Sequence, residues 1–270
     1  MTENHDPPVA VVTGASRGAG LGIARALVAR GWRVYATGRT VTDGGDGVIA
    51  APLDHRDDDA VAALFRRVGA ENGRLDLLVN NAAAVHDALT DPKPFWDKPI
   101  GLAEILDVGL RSAYVASYFA APLLLRAERG LITFTSSPGS VCYMHGPAYG
   151  AQKAGLDKMA ADMAVDFRET TVHTASIWMG ILLTAKLRNA FDGNPEALAA
   201  MAQHAETPEF VGHVIDALYR DPQRGQYSGH TLIAAELAQR YGITDEDGRQ
   251  PPSHRDMLGS PRTPSDVVVR

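Results

Sequence analysis

The chain has a single cysteine, Cys142, in 270 residues. One thiol excludes an internal disulfide and a cysteine-built zinc knuckle, and it fits a reducing compartment. No apolar run approaches the roughly 20 residues of a membrane span. Met1 to Pro8 has neither the basic start nor the apolar core of a signal peptide. Lysine is scarce, 5 residues against 21 arginines, and no basic block stands out from a net charge of −6. This argues against binding to a nucleic-acid phosphate backbone. The 9 histidines form no H-E-x-x-H pattern, so no metal site is expected. Asp57-Asp58-Asp59 reads as a helix cap instead. These absences leave a cytoplasmic protein without a membrane span as the expectation.

What is present is ordinary globular composition, 45% hydrophobic and 21% charged. A chain of this length can bury roughly three quarters of its unfolded surface. Residues 1–8 read as a disordered lead-in. Val9 to Val12, Arg33 to Thr37, Val48 to Leu53, Leu75 to Asn80, Leu131 to Ser136, Val172 to Trp178 and His230 to Ala234 read as strands. Helical patterns fall between them: Leu21 to Arg30 (closed by Gly31), Asp57 to Val68, Leu102 to Arg129 with Gly109 and Pro122 inside, Ala148 to Phe167, and Pro208 to Arg220. Asp43 to Gly47 reads as a turn and Val85 to Pro99 as a loop. Ile181 to Thr207 is mixed and is broken at Gly193-Asn194-Pro195. From Thr244 the composition predicts a loose tail. Strands alternating with helices predict a doubly wound α/β fold, with a Rossmann-like parallel sheet covered on both faces. One domain, 9–242, is expected, followed by a C-terminal tail, 243–270.

Thr13-Gly14-Ala15-Ser16-Arg17-Gly18-Ala19-Gly20 directly follows the first strand and opens the first helix. Glycines there let a diphosphate approach the backbone, and the helix N-terminus then faces the anion. A plain strand-to-helix turn would look similar. An NAD-preferring fold usually carries an acid at the end of the second strand. Here that end reads Thr37-Gly38-Arg39. Arg39, with Arg17 from the loop, suits a 2′-phosphate, so NADP(H) is expected over NAD(H).

Tyr149 and Lys153 stand four apart on a predicted helix and share a face. An ammonium about 4 Å from a phenol is worth about 4 kcal/mol at an effective dielectric of 20. That corresponds to roughly three pK units toward the phenolate. The pair therefore reads as a candidate for acid–base work near neutrality.

Taken together, these motifs resemble the short-chain dehydrogenase/reductase family over about residues 9–242. Thr13 to Gly20 fits T-G-x-x-x-G-x-G, and Leu53-Asp54 fits the acidic position. Asn80-Asn81-Ala82-Ala83 fits N-N-A-G with Ala for Gly. Gly130 to Ser137 looks like the catalytic-serine strand, and Tyr149 with Lys153 fits Y-x-x-x-K. Trp178 to Thr184 fits P-G-x-x-x-T with Met179 for the proline. Lys93 to Trp96, Asp107 to Arg111, Ser136 to Ser140 and Leu237 to Arg249 together resemble a narrower group, the dehydrogenase/reductase SDR family member 1-like subfamily. That shared C-terminus implies order in part of 243–250, against the composition.

The resemblance implies the roles. Tyr149 is the general acid toward a carbonyl oxygen, and Lys153 lowers its pKa and holds the nicotinamide ribose. Ser137 polarises the carbonyl. Ser136, thirteen residues before Tyr149, stays open as the alternative. Gly14, Ser16, Arg17, Gly18, Ala19, Gly20, Arg39, Asp54, Asn81 and Ala82 line the cofactor site, where Asp54 meets the adenine. Gly180, Ile181 and Thr184 hold the carboxamide. Gly109 stands where the family has an asparagine, and a glycine there keeps a carbonyl and permits a kink.

Tyr143, Met144, His145, Trp178, Met179, Leu182 and Leu183 flank the expected reaction site and read as an apolar pocket. Phe95 and Trp96 cover or anchor the neighbouring loop. Residues 181–207 are the expected substrate lid. The implied activity is NADP(H)-dependent interconversion of a small-molecule carbonyl, a steroid or aromatic ketone in the subfamily, and a secondary alcohol. A catalytically silent NADP(H)-binding regulator is the alternative. A homodimer or homotetramer is a family expectation.

Overall fold

The computed structural model describes residues 6–42 and 47–269. Seven strands form one sheet: β1 (Val9–Val12), β2 (Arg33–Gly38), β3 (Ile49–Pro52), β4 (Leu77–Asn80), β5 (Gly130–Ser136), β6 (Val172–Trp178) and β9 (His230–Ile233). Their order is β3-β2-β1-β4-β5-β6-β9, and every pairing is parallel. A second, two-stranded parallel pair joins β7 (Ile181–Leu182) to β8 (Ala205–Glu206). The doubly wound parallel sheet expected from the sequence is therefore present.

The central strands are apolar runs because both faces are covered. β1, β4 and β5 are buried along their whole length. On one face, helix α1 (Gly18–Ala29) packs with α7 (Pro208–Arg220) through Ile23, Leu27, Phe210 and Val214. Two glycines set that approach. A Cβ on Gly22 would lie 2.3 Å from Pro208, and one on Gly212 would lie 2.6 Å from Ala26. The other face holds α2 (Asp58–Asn72), α3 (Ser112–Leu124) and α4 (Pro147–Phe167), with Phe65, Ala116, Leu124 and Leu156 in the core. Each such Leu, Ile or Phe contributes about 1.5–3 kcal/mol by its burial. Asp57 caps α2 by accepting from the Ala60 N–H at 3.0 Å, as its sequence predicts. Gly73, at φ +75°, ends it.

Strand order reverses between β1 and β4. The loops that follow them diverge at the carboxyl edge and open the crevice where doubly wound folds bind ligands.

Three stretches depart from the sequence reading. The helix expected over 102–129 is interrupted. Val108 and Gly109 leave helical geometry, with Gly109 at φ +150°, and α3 starts only at Ser112. The Val108 carbonyl is thereby free to accept from the Ala84 N–H at 2.7 Å, which ties the kink to the segment after β4. The tail expected to be loose packs against the domain over 245–258, as the narrower resemblance implied for part of it. It begins with buried Asp245 and ends in α9 (Arg255–Leu258), where Arg255 pairs with Glu236 at 2.6 Å. Helix α8 (Ala234–Tyr241) was not anticipated as an element. Of the lead-in, residues 1–5 lie outside the described residues. Pro8 already extends the pairing of β1 with β2, its carbonyl accepting from the Arg33 N–H. The turn at Asp43 to Gly47 likewise falls outside the described residues except for Gly47.

Segment 181–207 is two short helices, α5 (Ala185–Ala190) and α6 (Pro195–Ala202), between β7 and β8. Gly193 at φ +81° and the Asn194 cap separate them, where the sequence predicts a break.

Candidate active site

The glycine loop leaves β1 into the switch-point crevice. Gly14 sits at φ +65°, and a Cβ there would lie 2.6 Å from the Ala82 Cα. Gly18 sits at φ +58°, and a Cβ on Gly20 would meet the Gly14 carbonyl at 2.4 Å. Only glycine satisfies both the dihedrals and the close approach. Ala19 and Gly20 form the first turn of α1. Arg17 stands at the N-cap with extended backbone and no side-chain cap, and the first turn carries no acid. The opening N–H groups of a 12-residue helix are thus left for an anion. A dinucleotide's diphosphate fits this cradle.

Thr13 and Asn81 brace the loop. Thr13 Oγ1 accepts from the Asn81 and Ala82 N–H groups at 2.9 and 3.0 Å. The Asn81 amide donates to the Thr13 and Gly14 carbonyls and accepts from Thr135 Oγ1. The Asn81 side chain is consequently engaged in holding β1, β4 and β5 together, and with its N–H taken by Thr13 its carbonyl is what it can offer a ligand.

At the far end of the crevice Ser16 lies against Gly38, 3.3 Å from where a Cβ would stand. Arg17 and Arg39 are exposed, and neither has a carboxylate within ion-pair distance among the described residues. No acid follows β2. Asp54 is turned to Arg56 instead, at 3.1 Å, and is held below the usual carboxylate range by Arg56 first and by Arg39 as a lesser cause. Sequence reasoning missed His55. It is buried, bonded through Nε2 to Thr37 Oγ1 at 2.7 Å, and burial pushes it down to about 4, so it stays neutral.

The candidate reacting groups meet where β5 ends. Ser137 Oγ and the Tyr149 hydroxyl lie 2.8 Å apart. Ser137 also caps the following turn by accepting from the Gly139 N–H. Gly139 packs flat against the tyrosine, since a Cβ there would lie 2.5 Å from the ring. Ser136 is fully buried and donates to the Lys153 carbonyl at 3.3 Å. Of the two serines, Ser137 is the one beside the phenol.

Lys153 is buried and donates to the Thr135 carbonyl at 3.1 Å. Its Nζ stands 5.4 Å from the centroid of the Tyr149 ring. Burial lowers Lys153 to about 8. Burial raises Tyr149 above its ordinary value, and the Ser137 bond works the other way. The lowering expected from the bare Tyr–Lys spacing is therefore not what governs the phenol here. Desolvation dominates both groups, and the lysine gives its hydrogen bond to the Thr135 carbonyl rather than to the phenolic oxygen.

Two further features were not foreseen. His145 takes φ +61°, rare outside glycine, and its ring meets the Tyr149 ring edge-on at 5.0 Å. Lys98 holds that backbone by donating to the His145 and Leu89 carbonyls. Next to Lys153, the buried Gln152 occupies the space that a side chain at Gly109 would need, 3.0 Å from the Cβ position.

The segment after β6 closes the other side. Met179 N–H donates to the Ser136 carbonyl. The Gly180 N–H is taken by Glu206 Oε1 at 3.0 Å, which leaves its carbonyl as its polar group for a ligand. Ile181 is exposed in β7. Thr184 caps α5 and lies 3.7 Å from the Cβ position of Gly18, so the segment and the glycine loop converge. The pocket expected from seven flanking residues is corrected at Trp178. That ring is fully buried, donates to Asp157, and belongs to the core. Leu183 is buried as well, whereas Tyr143 is largely exposed. Phe95 and Trp96 are exposed and meet edge-to-face, their ring centroids 5.2 Å apart.

A doubly wound sheet, a glycine cradle at its switch point and a serine–tyrosine–lysine set at the carboxyl edge define a class of oxidoreductase. The chain belongs to the short-chain dehydrogenase/reductase family, whose model, described as short chain dehydrogenase, matches residues 8–195. Enzymes of this family use NAD(P)(H). The chain is similar to dehydrogenase/reductase SDR family member 1 of Homo sapiens, 40% identical over 89% of this chain and 84% of the relative. The Mus musculus protein of the same name is 38% identical over the same shares. The narrower resemblance in the sequence motifs agrees with both. Among solved structures, Thermoplasma acidophilum aldohexose dehydrogenase superposes with a TM-score of 0.72 at 22% identity, over 84% of this chain and 92% of that one. That likeness speaks for the fold.

Proposed function

We propose that the protein interconverts a ketone or aldehyde and the corresponding alcohol, with NADP(H) as the preferred cofactor. The observation that carries this reading is the 2.8 Å contact between Ser137 Oγ and the Tyr149 hydroxyl beside buried Lys153. A carbonyl oxygen set between the two hydroxyls accepts from both. Ser137 orients and polarises it, and Tyr149 delivers the proton as negative charge develops there. Lys153, fixed by the Thr135 carbonyl, keeps a positive charge near the phenol below about pH 8. The nicotinamide, when bound, supplies or takes the hydride.

Gly14, Ser16, Gly18, Ala19 and Gly20 would hold the diphosphate side, with Asp54, Asn81 and Ala82 along the adenosine and ribose. Gly180, Ile181 and Thr184 would face the carboxamide. Arg17 and Arg39, exposed and without carboxylate partners among the described residues, suit the 2′-phosphate of NADP(H). Segment 181–207 serves as a lid. Its Lys186 reaches Asp87 at 2.9 Å across the mouth of the site. Exposed Tyr143 and Ile181 at that mouth suit an apolar ketone. The exposed Tyr114, Tyr118 and Leu125 of α3 and its end suit a homo-oligomer.

The test is a titration with NADPH and NADH by nicotinamide fluorescence, then turnover of a ketone panel with Tyr149→Phe as control. Tight NADPH binding and tyrosine-dependent turnover support the reading. No binding of either cofactor at millimolar concentration removes it.

A further inference from the structure

Glu206 is a carboxyl group with almost no solvent exposure, 1%, in a position that no catalytic motif covers. It lies on β8, whose partner β7 continues from Gly180. The contact is close on both sides. Glu206 Oε1 accepts from the Gly180 N–H at 3.0 Å, and Oε2 stands 2.9 Å from the place a Gly180 Cβ would fill. The Glu206 carbonyl accepts in turn from the Leu183 N–H at 2.9 Å. One residue thus holds both ends of the turn that carries Gly180, Ile181 and Leu183.

The other side of β8 is held by the C-terminal segment. Asp245, itself buried, accepts from the Thr207 N–H at 2.8 Å and from Thr207 Oγ1 at 2.5 Å. Arg249 pairs with Asp245 at 2.8 Å and donates to the Ala205 carbonyl. Residues 205 and 207, on either side of Glu206, are therefore gripped by a clasp from the C-terminal segment. The chain of contacts runs from Arg249 and Asp245 through β8 and Glu206 to Gly180.

We propose that Glu206 is a positioning residue for the nicotinamide side of the site, and that residues 245–249 are the clasp that sets it. This rests on the reading of Gly180 to Thr184 as the carboxamide-binding segment. Two oxygens crowded against Gly180 leave no room for the hydration that a carboxylate needs, so the arrangement requires the neutral acid. The charged groups that face it are Asp245, which disfavours ionisation, and Arg249, which favours it. Burial, with Asp245 acting the same way, outweighs the Gly180 N–H bond and Arg249, which both favour the carboxylate, and raises Glu206 to about 8. Above that pH the carboxylate must draw water, and the segment it holds must loosen.

The test uses the full-length protein, Glu206→Gln and Glu206→Ala. NADPH affinity is followed from pH 6 to 9.5. Deuterium exchange over residues 179–187 is followed without cofactor at the same pH values. Glutamine keeps the acceptor for the Gly180 N–H and cannot ionise. The expected result is that the wild-type Kd rises above pH 8 by up to about tenfold per pH unit, while the Gln variant stays within twofold of its own value at pH 7. Exchange in the wild type should accelerate over the same range relative to Gln, and the Ala variant should exchange fast at every pH. An alkaline loss that is equal in wild type and Gln overturns the proposal. The exchange arm needs no cofactor. Absent NADPH binding with normal pH-dependent exchange would remove the proposed function alone, and equal exchange in wild type and Gln would remove the role of Glu206 alone.

Discussion

Lys153 Nζ stands 5.4 Å from the centroid of the Tyr149 ring and gives its hydrogen bond to the Thr135 carbonyl, not to the phenolic oxygen. That oxygen meets Ser137 instead. The lysine is anchored by the Thr135 carbonyl at the end of β5, so the strand and not the tyrosine fixes its place. Tyr149→Phe should lower kcat by about 10²–10⁴-fold, the usual range for one general acid. The cofactor Kd should change less than threefold. Steady-state kinetics with a reducible ketone, beside a fluorescence titration, checks both.

Lys153 also gives a pH prediction with a definite sign. Its folded pKa, about 8, lies below its ordinary value of 10.5. The buried charge is therefore a cost that is fully present below pH 8 and is relieved as pH rises from 8 to 10.5. Lys153→Met should raise stability at pH 7 by up to about 3 kcal/mol, reduced by the lost Thr135 bond. It should also abolish turnover. Denaturant unfolding at pH 7 and pH 10 tests this, since the gain should shrink at the higher pH. In the wild type kcat should fall above pH 8. In Glu206→Gln that fall should persist while cofactor affinity stays level, which separates the two groups.

The neighbouring serines should separate cleanly. Ser137→Ala removes the tyrosine contact and should lower kcat by about 10²-fold or more, in line with loss of one oxyanion donor. Ser136→Ala removes only a buried bond to a backbone carbonyl and should cost about 1 kcal/mol of stability, with activity kept within threefold. A reversal of that order would assign the role to Ser136.

Arg39→Ala should raise the NADPH Kd by about 10- to 100-fold, the loss of one or two charge-assisted bonds at about 1.5–3 kcal/mol. NADH affinity should stay nearly constant. Equal weakening toward both cofactors would place Arg39 away from a 2′-phosphate. Paired titrations at one ionic strength are the measurement.

Gly14→Ala should fail for a reason of backbone alone. Its φ of +65° and the 2.6 Å approach to the Ala82 Cα both forbid a methyl group. The backbones of β1 and β4 would have to part. Stability should fall by more than about 1 kcal/mol, with cofactor binding lost, as thermal unfolding with and without NADPH would reveal. Gly31→Ala, where a Cβ would meet nothing within 4 Å, is the control for positive φ without a close approach.

The sequence by itself determined the order of the seven strands, the parallel sheet, the glycine loop and the candidate residues of the reaction site. Each is written locally: a buried strand is an apolar run, a cradle is glycine at fixed spacing, and a helix begins at a capping acid such as Asp57. What only the tertiary structure decided depends on groups far apart in the chain. The choice between Ser136 and Ser137 follows from the β5 register against α4, which turns one hydroxyl inward and the other toward Tyr149. Asp54 is drawn to Arg56, and Trp178 sinks into the core onto Asp157. Composition read the segment after Thr244 as loose because its polar residues have no local partner. In the fold, Asp245 finds Thr207 thirty-eight positions away, and Glu206 finds Gly180 twenty-six away. Burial and charge pairing are properties of neighbours in space. No local pattern encodes a desolvation that is created only when β7 and β8 come together under the C-terminal clasp.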